Sequence, residues 1–184
     1  NILVVSTTGM GDCLWGTPFL RALKKSFPEV KIDVLVNAKW KSLLDNNPHI
    51  DRLMSYSHHW YRRIPLGIRL MLNPFRYDAV LVFHGNTSFR RLLPFIRYST
   101  ILFHQSFDWI PHGHRIRFNE PTHGMQRRLA VLEKIGTSPD GMQMEIFLDA
   151  TDHAKTTKYL NQIRVSPGDY IYLNIGASLD HKRW

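Results

Sequence analysis

The chain has 184 residues, 43% of them apolar and 21% charged, which excludes general disorder and allows one domain with the start of a second. Its single cysteine, Cys13, excludes an internal disulfide, and no apolar run is long enough to span a membrane. The net charge of +9 fits either a basic solvated surface or an anionic partner: nucleic acid, a phosphate-bearing substrate or an anionic membrane face.

The first element is a β-branched strand over 2–5, ended by the small-residue turn Ser6-Thr7-Thr8-Gly9-Met10-Gly11-Asp12. Apolar residues at helical spacing then predict a helix over 13–26, with Lys24 and Lys25 in its last turn and Pro28 beyond it. A strand over 32–36, a short helix over 40–45 and a strand over 52–56 follow. Next come a helix over 65–72, a strand over 78–83 and a helix over 88–98 that must accommodate Pro94. A strand over 100–104 leads into a long loop over 107–122, rich in proline and glycine. An amphipathic helix over 123–135 ends at Gly136. The remainder reads as a strand over 146–148, a helix over 152–163, a turn at Ser166-Pro167-Gly168-Asp169 and a strand over 170–175. The fold class is therefore α/β, a parallel sheet with helices on both faces. The expected domains are 1–148, a linker and helix over 149–168, and the start of a second α/β unit over 169–184. The chain opens inside a strand pattern at Asn1, with no basic leader, and stops at Trp184, so it reads as a fragment.

Open α/β sheets bind ligands beyond the carboxyl ends of their strands, and the first such turn is Thr7 to Asp12. It fails as a dinucleotide fingerprint, because Leu14 stands where the third glycine belongs and Asn37 where an acid would end the second strand. It fails as a triphosphate loop, because Thr17-Pro18 replaces the lysine and hydroxyl residue after Gly16. Two readings of Asp12 stay open: a helix N-cap, or a base at the mouth of the sheet. Gly9 and Gly11 either meet a turn requirement or let a ligand approach the backbone.

Several segments in register resemble the lipopolysaccharide heptosyltransferases, glycosyltransferase family 9. They are Ile2-Leu3-Val4-Val5 with Gly9-Met10-Gly11-Asp12 and Thr17-Pro18-Phe19-Leu20-Arg21-Ala22-Leu23; Leu43-Leu44-Asp45-Asn46-Asn47-Pro48-His49-Ile50-Asp51; Arg76-Tyr77-Asp78; His123 with Arg128-Leu129, Leu132 and Gly136; and Asn174-Ile175-Gly176-Ala177-Ser178 with Lys182-Arg183-Trp184. The chain departs from the family pattern at Ser6, where many members carry arginine, at Val82 and His84 in the fourth strand, and at Ile175.

The resemblance implies a GT-B architecture, two Rossmann-like domains facing across a cleft, with the acceptor side in this chain. It implies an inverting transfer of heptose from ADP-heptose to the phosphorylated inner core of lipopolysaccharide. Asp12 matches the family's base, and Lys182 its contact to the nucleotide phosphates, with Gly176, Ala177 and Ser178 beside the diphosphate. Gly9, Met10 and Gly11 fall on the acceptor side. The nucleotide-sugar is a substrate, so no cofactor and no metal is expected; the pairs His58-His59 and His112/His114 match no standard metal spacing. Twelve cations against four acids between residues 39 and 117 give the anionic glycolipid acceptor a counterpart. Arg62, Arg63, Arg90 and Arg91 are the first candidates for its phosphates. The implied location is cytoplasmic and peripheral, at the inner membrane surface. The fragment alone is expected to be inactive. Alternatives are a transferase of the same fold with another donor and acceptor, an inactive relative that binds, and a nucleic-acid-binding domain, whose recognition motifs are missing.

Overall fold

The computed structural model describes residues 1–74, 76–85, 87–103, 112–116, 123–166, 168 and 170–171. The chain divides into two compact units, Asn1–Phe147 and Leu148–Trp184.

The first unit is built on five strands: β1 (Ile2–Ser6), β2 (Ile32–Asn37), β3 (Arg52–Tyr56), β4 (Tyr77–His84) and β5 (Tyr98–Phe103). All pair in parallel, in the order β3-β2-β1-β4-β5. Helices follow the strands: α1 (Met10–Leu14), α2 (Thr17–Ser26), α3 (Trp60–Met71), the single turn α4 (Thr87–Arg90) and α5 (Gly124–Lys134). Alternate residues of the strands feed two cores. Ile2, Val4, Leu81 and Phe83 join Phe19, Leu23, Leu129 and Leu132 of α2 and α5 on one face. Leu3, Val5, Val80 and Val82 join Leu66 and Leu70 of α3 on the other. Burial on both faces is why these strands read as continuous apolar runs rather than as an alternation.

The elements differ from the sequence reading where one residue overrules periodicity. The helix over 13–26 is two helices, broken at Trp15 and Gly16. Pro18 has no N–H for the Leu14 carbonyl, and the Thr17 hydroxyl donates to that oxygen instead, at 2.9 Å. The short helix over 40–45 is a 3₁₀ segment, Ala38–Leu43. Helix α3 starts at Trp60, earlier than expected, and carries Pro65 inside it. The helix over 88–98 survives only as the single turn α4: Pro94 lies in a 3₁₀ turn, Leu93–Phe95, and Tyr98 pairs with Tyr77 as the start of β5. No strand forms over 146–148. The stretch before it is tied to α2, with Glu145 N donating to Thr17 Oγ1 at 3.0 Å and Arg21 Nη1 to the Gln143 carbonyl at 2.8 Å. Gly136 ends α5 at φ +83°, the left-handed conformation that glycine supplies at helix ends.

In the second unit the helix α6 (Ala150–Gln162) opens on Asp149, which accepts from Asp152 N at 2.8 Å. The expected strand over 170–175 and the residues after it lie outside the described residues, apart from Tyr170 and Ile171. Among the described residues no helix is long and apolar enough to cross a membrane.

Candidate functional site

Chain order turns back at β1. Strand β2 lies on one side of it and β4 on the other, so the crossover to β4 opens a crevice at the carboxyl ends of β1 and β4. The two strand ends are joined there, with Thr7 N donating to the His84 carbonyl at 2.8 Å and the Thr7 hydroxyl to the same oxygen at 3.1 Å. The β1–β4 register shifts at this point: Val5 faces Val82, but Ser6 faces His84. Such a bulge re-aims the side chain at a strand end.

Asp12 sits in this crevice. It is not the N-cap of α1; Gly9 is, and Asp12 lies three residues on, accepting from Gly9 N at 3.2 Å. The same oxygen, Oδ2, accepts from the Thr8 hydroxyl at 2.8 Å. The other oxygen, Oδ1, lies 3.0 Å from His84 Nε2 and 3.0 Å from Arg128 Nη2. Burial alone would push the Asp12 carboxyl up. Its hydrogen bonds to His84, Thr8 and Gly9 outweigh that and hold it well below the usual carboxylate range. The site therefore presents a fixed negative charge, partly open to solvent, with two neutral donors on one oxygen and an arginine and a histidine on the other.

Arg128 is fully buried on α5. Its Nη1 donates to the Gly124 carbonyl at 2.7 Å, and its guanidinium lies 5.3 Å from the Trp15 ring centroid and 5.9 Å from that of Phe83. An arginine walled by aromatic rings and one carboxylate is held by shape as well as charge. Gly124 makes room for it: a Cβ there would stand 2.9 Å from Trp15 and 3.2 Å from Arg128 Nη1. Next to Asp12, burial and the aspartate's charge push the Cys13 thiol up to about 12, which leaves it an inert packing group.

Of the residues singled out from sequence, Gly9, Met10, Gly11 and Asp12 meet on this rim. A Cβ on Gly9 would stand 3.2 Å from Asp12 Oδ2, whereas one on Gly11 would meet nothing within 4 Å. Arg62 and Arg63 lie on the first turns of α3, Arg90 ends α4 and Arg91 follows it. Arg63 and Arg91 line a separate groove beside α3. Gly176, Ala177, Ser178 and Lys182 lie outside the described residues. His84 and Arg128 are the functional residues that sequence reasoning passed over as site groups. Arg128 did leave a signal: Met125, Arg128, Leu129 and Leu132 share one helical face, so a charge occupies an apolar position. Among the described residues no group of three or more histidine, cysteine or acidic residues could hold a metal ion.

No family model matches the chain, and no curated protein matches it. Solved structures do. A glycosyl transferase family 9 protein from Veillonella parvula DSM 2008 superposes with a TM-score of 0.79 at 24% identity, over 100% of this chain and 55% of the other. The E. coli heptosyltransferase WaaC with ADP-2-deoxy-2-fluoro heptose gives 0.68 at 19% identity, over 100% of this chain and 61% of the other. E. coli ADP-heptose lps heptosyltransferase II gives 0.64 at 17% identity, over 91% and 51%. The chain thus spans a little over half the length of these structures. Its α/β fold is the one found in these GT-B glycosyltransferases.

Proposed function

We propose that this chain is the acceptor side of an inverting glycosyltransferase, transferring heptose from ADP-heptose to the phosphorylated inner core of lipopolysaccharide. The observation that carries the reading is Asp12, an ionised carboxylate at the β1–β4 crevice. Support comes from the shared fold of the heptosyltransferases and from the motif resemblance. On this reading the acceptor hydroxyl oxygen bonds to the anomeric carbon as the bond from that carbon to the diphosphate breaks. ADP leaves with the bonding electrons, and the hydroxyl proton passes to Asp12. Four donors make Asp12 a weak base until an acceptor enters. The donors on Oδ2 are both neutral, so an incoming hydroxyl displaces Thr8 more cheaply than it separates Arg128 from Oδ1. Oδ2 is the oxygen we assign to the proton. Displacing Thr8 also removes a stabilising donor and raises the basicity of the carboxylate as the reaction begins.

Gly9, Met10 and Gly11 border the acceptor on this reading, and Arg62 and Arg90 face its phosphates, while Arg63 and Arg91 line the separate groove beside α3. Lys182, with Gly176, Ala177 and Ser178, takes the donor diphosphate, where fixed positive charge stabilises the leaving group. The protein then works in the cytoplasm, peripherally at the inner membrane surface. Turnover of ADP-, UDP- and GDP-sugars by the intact protein tests this. ADP-heptose is expected to be used, and Asp12→Asn to slow its use about 10²–10⁴-fold. No turnover of any nucleotide sugar overturns the class. A preference for UDP- or GDP-sugars keeps the class and replaces the donor, the second reading that His84, where family members carry another residue, leaves open.

A further inference from the structure

Helix α3 has more apolar surface than the sheet covers. Leu66 and Leu70 are buried in the core. On another face, Trp60, Ile64, Ile68 and Met71 recur at spacings of four, four and three, which places them on one stripe. They stand 67%, 51%, 48% and 54% exposed. At about 1.5 Å per residue that stripe runs for roughly 17 Å. A continuous exposed stripe of this kind marks a binding surface rather than a scatter of surface residues.

The charge around it has one sign. Arg62, Arg63 and Arg69 lie on the same helix, and Arg91 faces it. The sequence has no acidic residue from 52 to 77 and none from 79 to 107. Between α3 and the Leu93–Phe95 turn lies a groove of about 280 Å³, lined by Trp60, Arg63, Ile64, Ile68, Arg91 and Phe95 among others. Among the described residues, Arg63 Nη1 is buried with no hydrogen-bond partner. A buried, unpaired guanidinium N–H is costly, and an anion satisfies it.

We propose that this face of α3 docks on an anionic phospholipid bilayer, with the apolar stripe at the headgroup–acyl boundary and a lipid phosphate between Arg63 and Arg91. The chemistry fits both halves of such a lipid: apolar residues for the chains and arginines for the phosphate. The proposal deepens the reading of a membrane-borne glycolipid acceptor and rests on it for its purpose. Because α3 follows β3, its amino-terminal end lies toward the carboxyl-end rim of the sheet. His58, just before α3, has Nε2 3.4 Å from Asn37 Nδ2, and Asn37 donates to the Thr7 carbonyl at 3.3 Å. Docking through α3 would therefore bring a lipid-borne acceptor alongside Asp12.

Flotation of the intact protein with vesicles tests the proposal. Binding to phosphatidylglycerol/phosphatidylcholine vesicles is expected to exceed binding to pure phosphatidylcholine by about tenfold or more at low salt, and to weaken as salt rises. The double substitution Ile64→Ser/Ile68→Ser and the pair Arg63→Gln/Arg91→Gln should each lower it about tenfold. Both alter exposed or groove positions, and circular dichroism checks that the fold is kept. Quenching by bromine-labelled acyl chains should fall in Trp60→Phe. Equal binding to both vesicle types, unchanged binding by both double variants, or full competition by inorganic phosphate would overturn the proposal. So would a dimer that Ile64→Ser/Ile68→Ser dissociates while vesicles go unbound. Transfer to a deacylated, soluble acceptor reads the proposed function separately. Transfer without vesicle binding defeats the docking surface alone, and vesicle binding without transfer defeats the enzymatic reading alone.

Discussion

Each end of the sheet carries an aspartate paired with an arginine, and the two pairs do different things. At the amino end, Asp33 of β2 faces Arg52 of β3 in direct register, and its Oδ2 bonds Arg52 and accepts from the Tyr77 hydroxyl at 2.5 Å. All three groups come from strands. Burial, then the hydrogen bond to Asp33, pushes the Tyr77 phenol up, so it stays a neutral donor. At the carboxyl end, Asp12 comes from the first turn of α1, His84 from a strand end and Arg128 from α5. The Asp33 side chain is 12% exposed and that of Asp12 21%. A pair locked between strands closes the sheet, whereas a pair borne on two helices beyond the strand ends leaves one carboxylate oxygen with displaceable donors.

The sharpest break between the two pairs is kinetic. Asp12→Asn is expected to lower kcat about 10²–10⁴-fold with little change in KM, while Asp33→Asn leaves kcat within about threefold. Steady-state rates on the same donor and acceptor decide it, and equal losses from both variants would erase the distinction.

Stability comes next. Arg128→Met removes a fully buried charge and leaves Asp12, its partner, still able to reach solvent. Asp12→Asn instead strands the buried guanidinium, and should cost about 3–5 kcal/mol. Urea unfolding should rank Asp12→Asn as the more damaging of the two, and the reverse order would deny that Arg128 depends on Asp12.

The same contrast has a pH signature. The folded Asp12 carboxyl lies below its unfolded value, so its contribution is complete above that value, about 3.9, and is lost as pH falls through the folded one. The stability gap between wild type and Asp12→Asn should narrow below about pH 4. A gap that widens on acidification would mean the carboxyl is raised.

The smallest effects separate glycines. Gly124→Ala forces a Cβ within 2.9 Å of Trp15, so it should destabilise by about 1–2 kcal/mol although alanine favours helices. Gly11→Ala meets nothing, so stability should move by less than about 1 kcal/mol. A rise in acceptor KM for Gly11→Ala at unchanged stability would show that the glycine serves the ligand rather than the turn.

Much of this was legible in the linear chain. Continuous β-branched runs between helical patterns required a parallel sheet buried on both faces. The parallel sheet in turn pointed to the first strand-to-helix turn, and so to Asp12. Local chemistry also marked the Gly136 stop and the lysines closing α2. What periodicity missed were elements overruled by single residues, Pro18 splitting a helix and Pro94 cutting one short at α4, and the strand over 146–148, which does not form although the residues just before it bond Thr17 and Arg21.

Tertiary structure alone decided the rest. His84 and Arg128 stand far from Asp12 in the chain and meet it because strand order turns back at β1 and α5 packs on the same face as α2. Sequence placed a helix over 65–72, but not which of its faces the sheet would cover. Periodicity records which residues share a face. Only packing determines which face finds a partner, because burial is a property of two surfaces and a sequence pattern describes one.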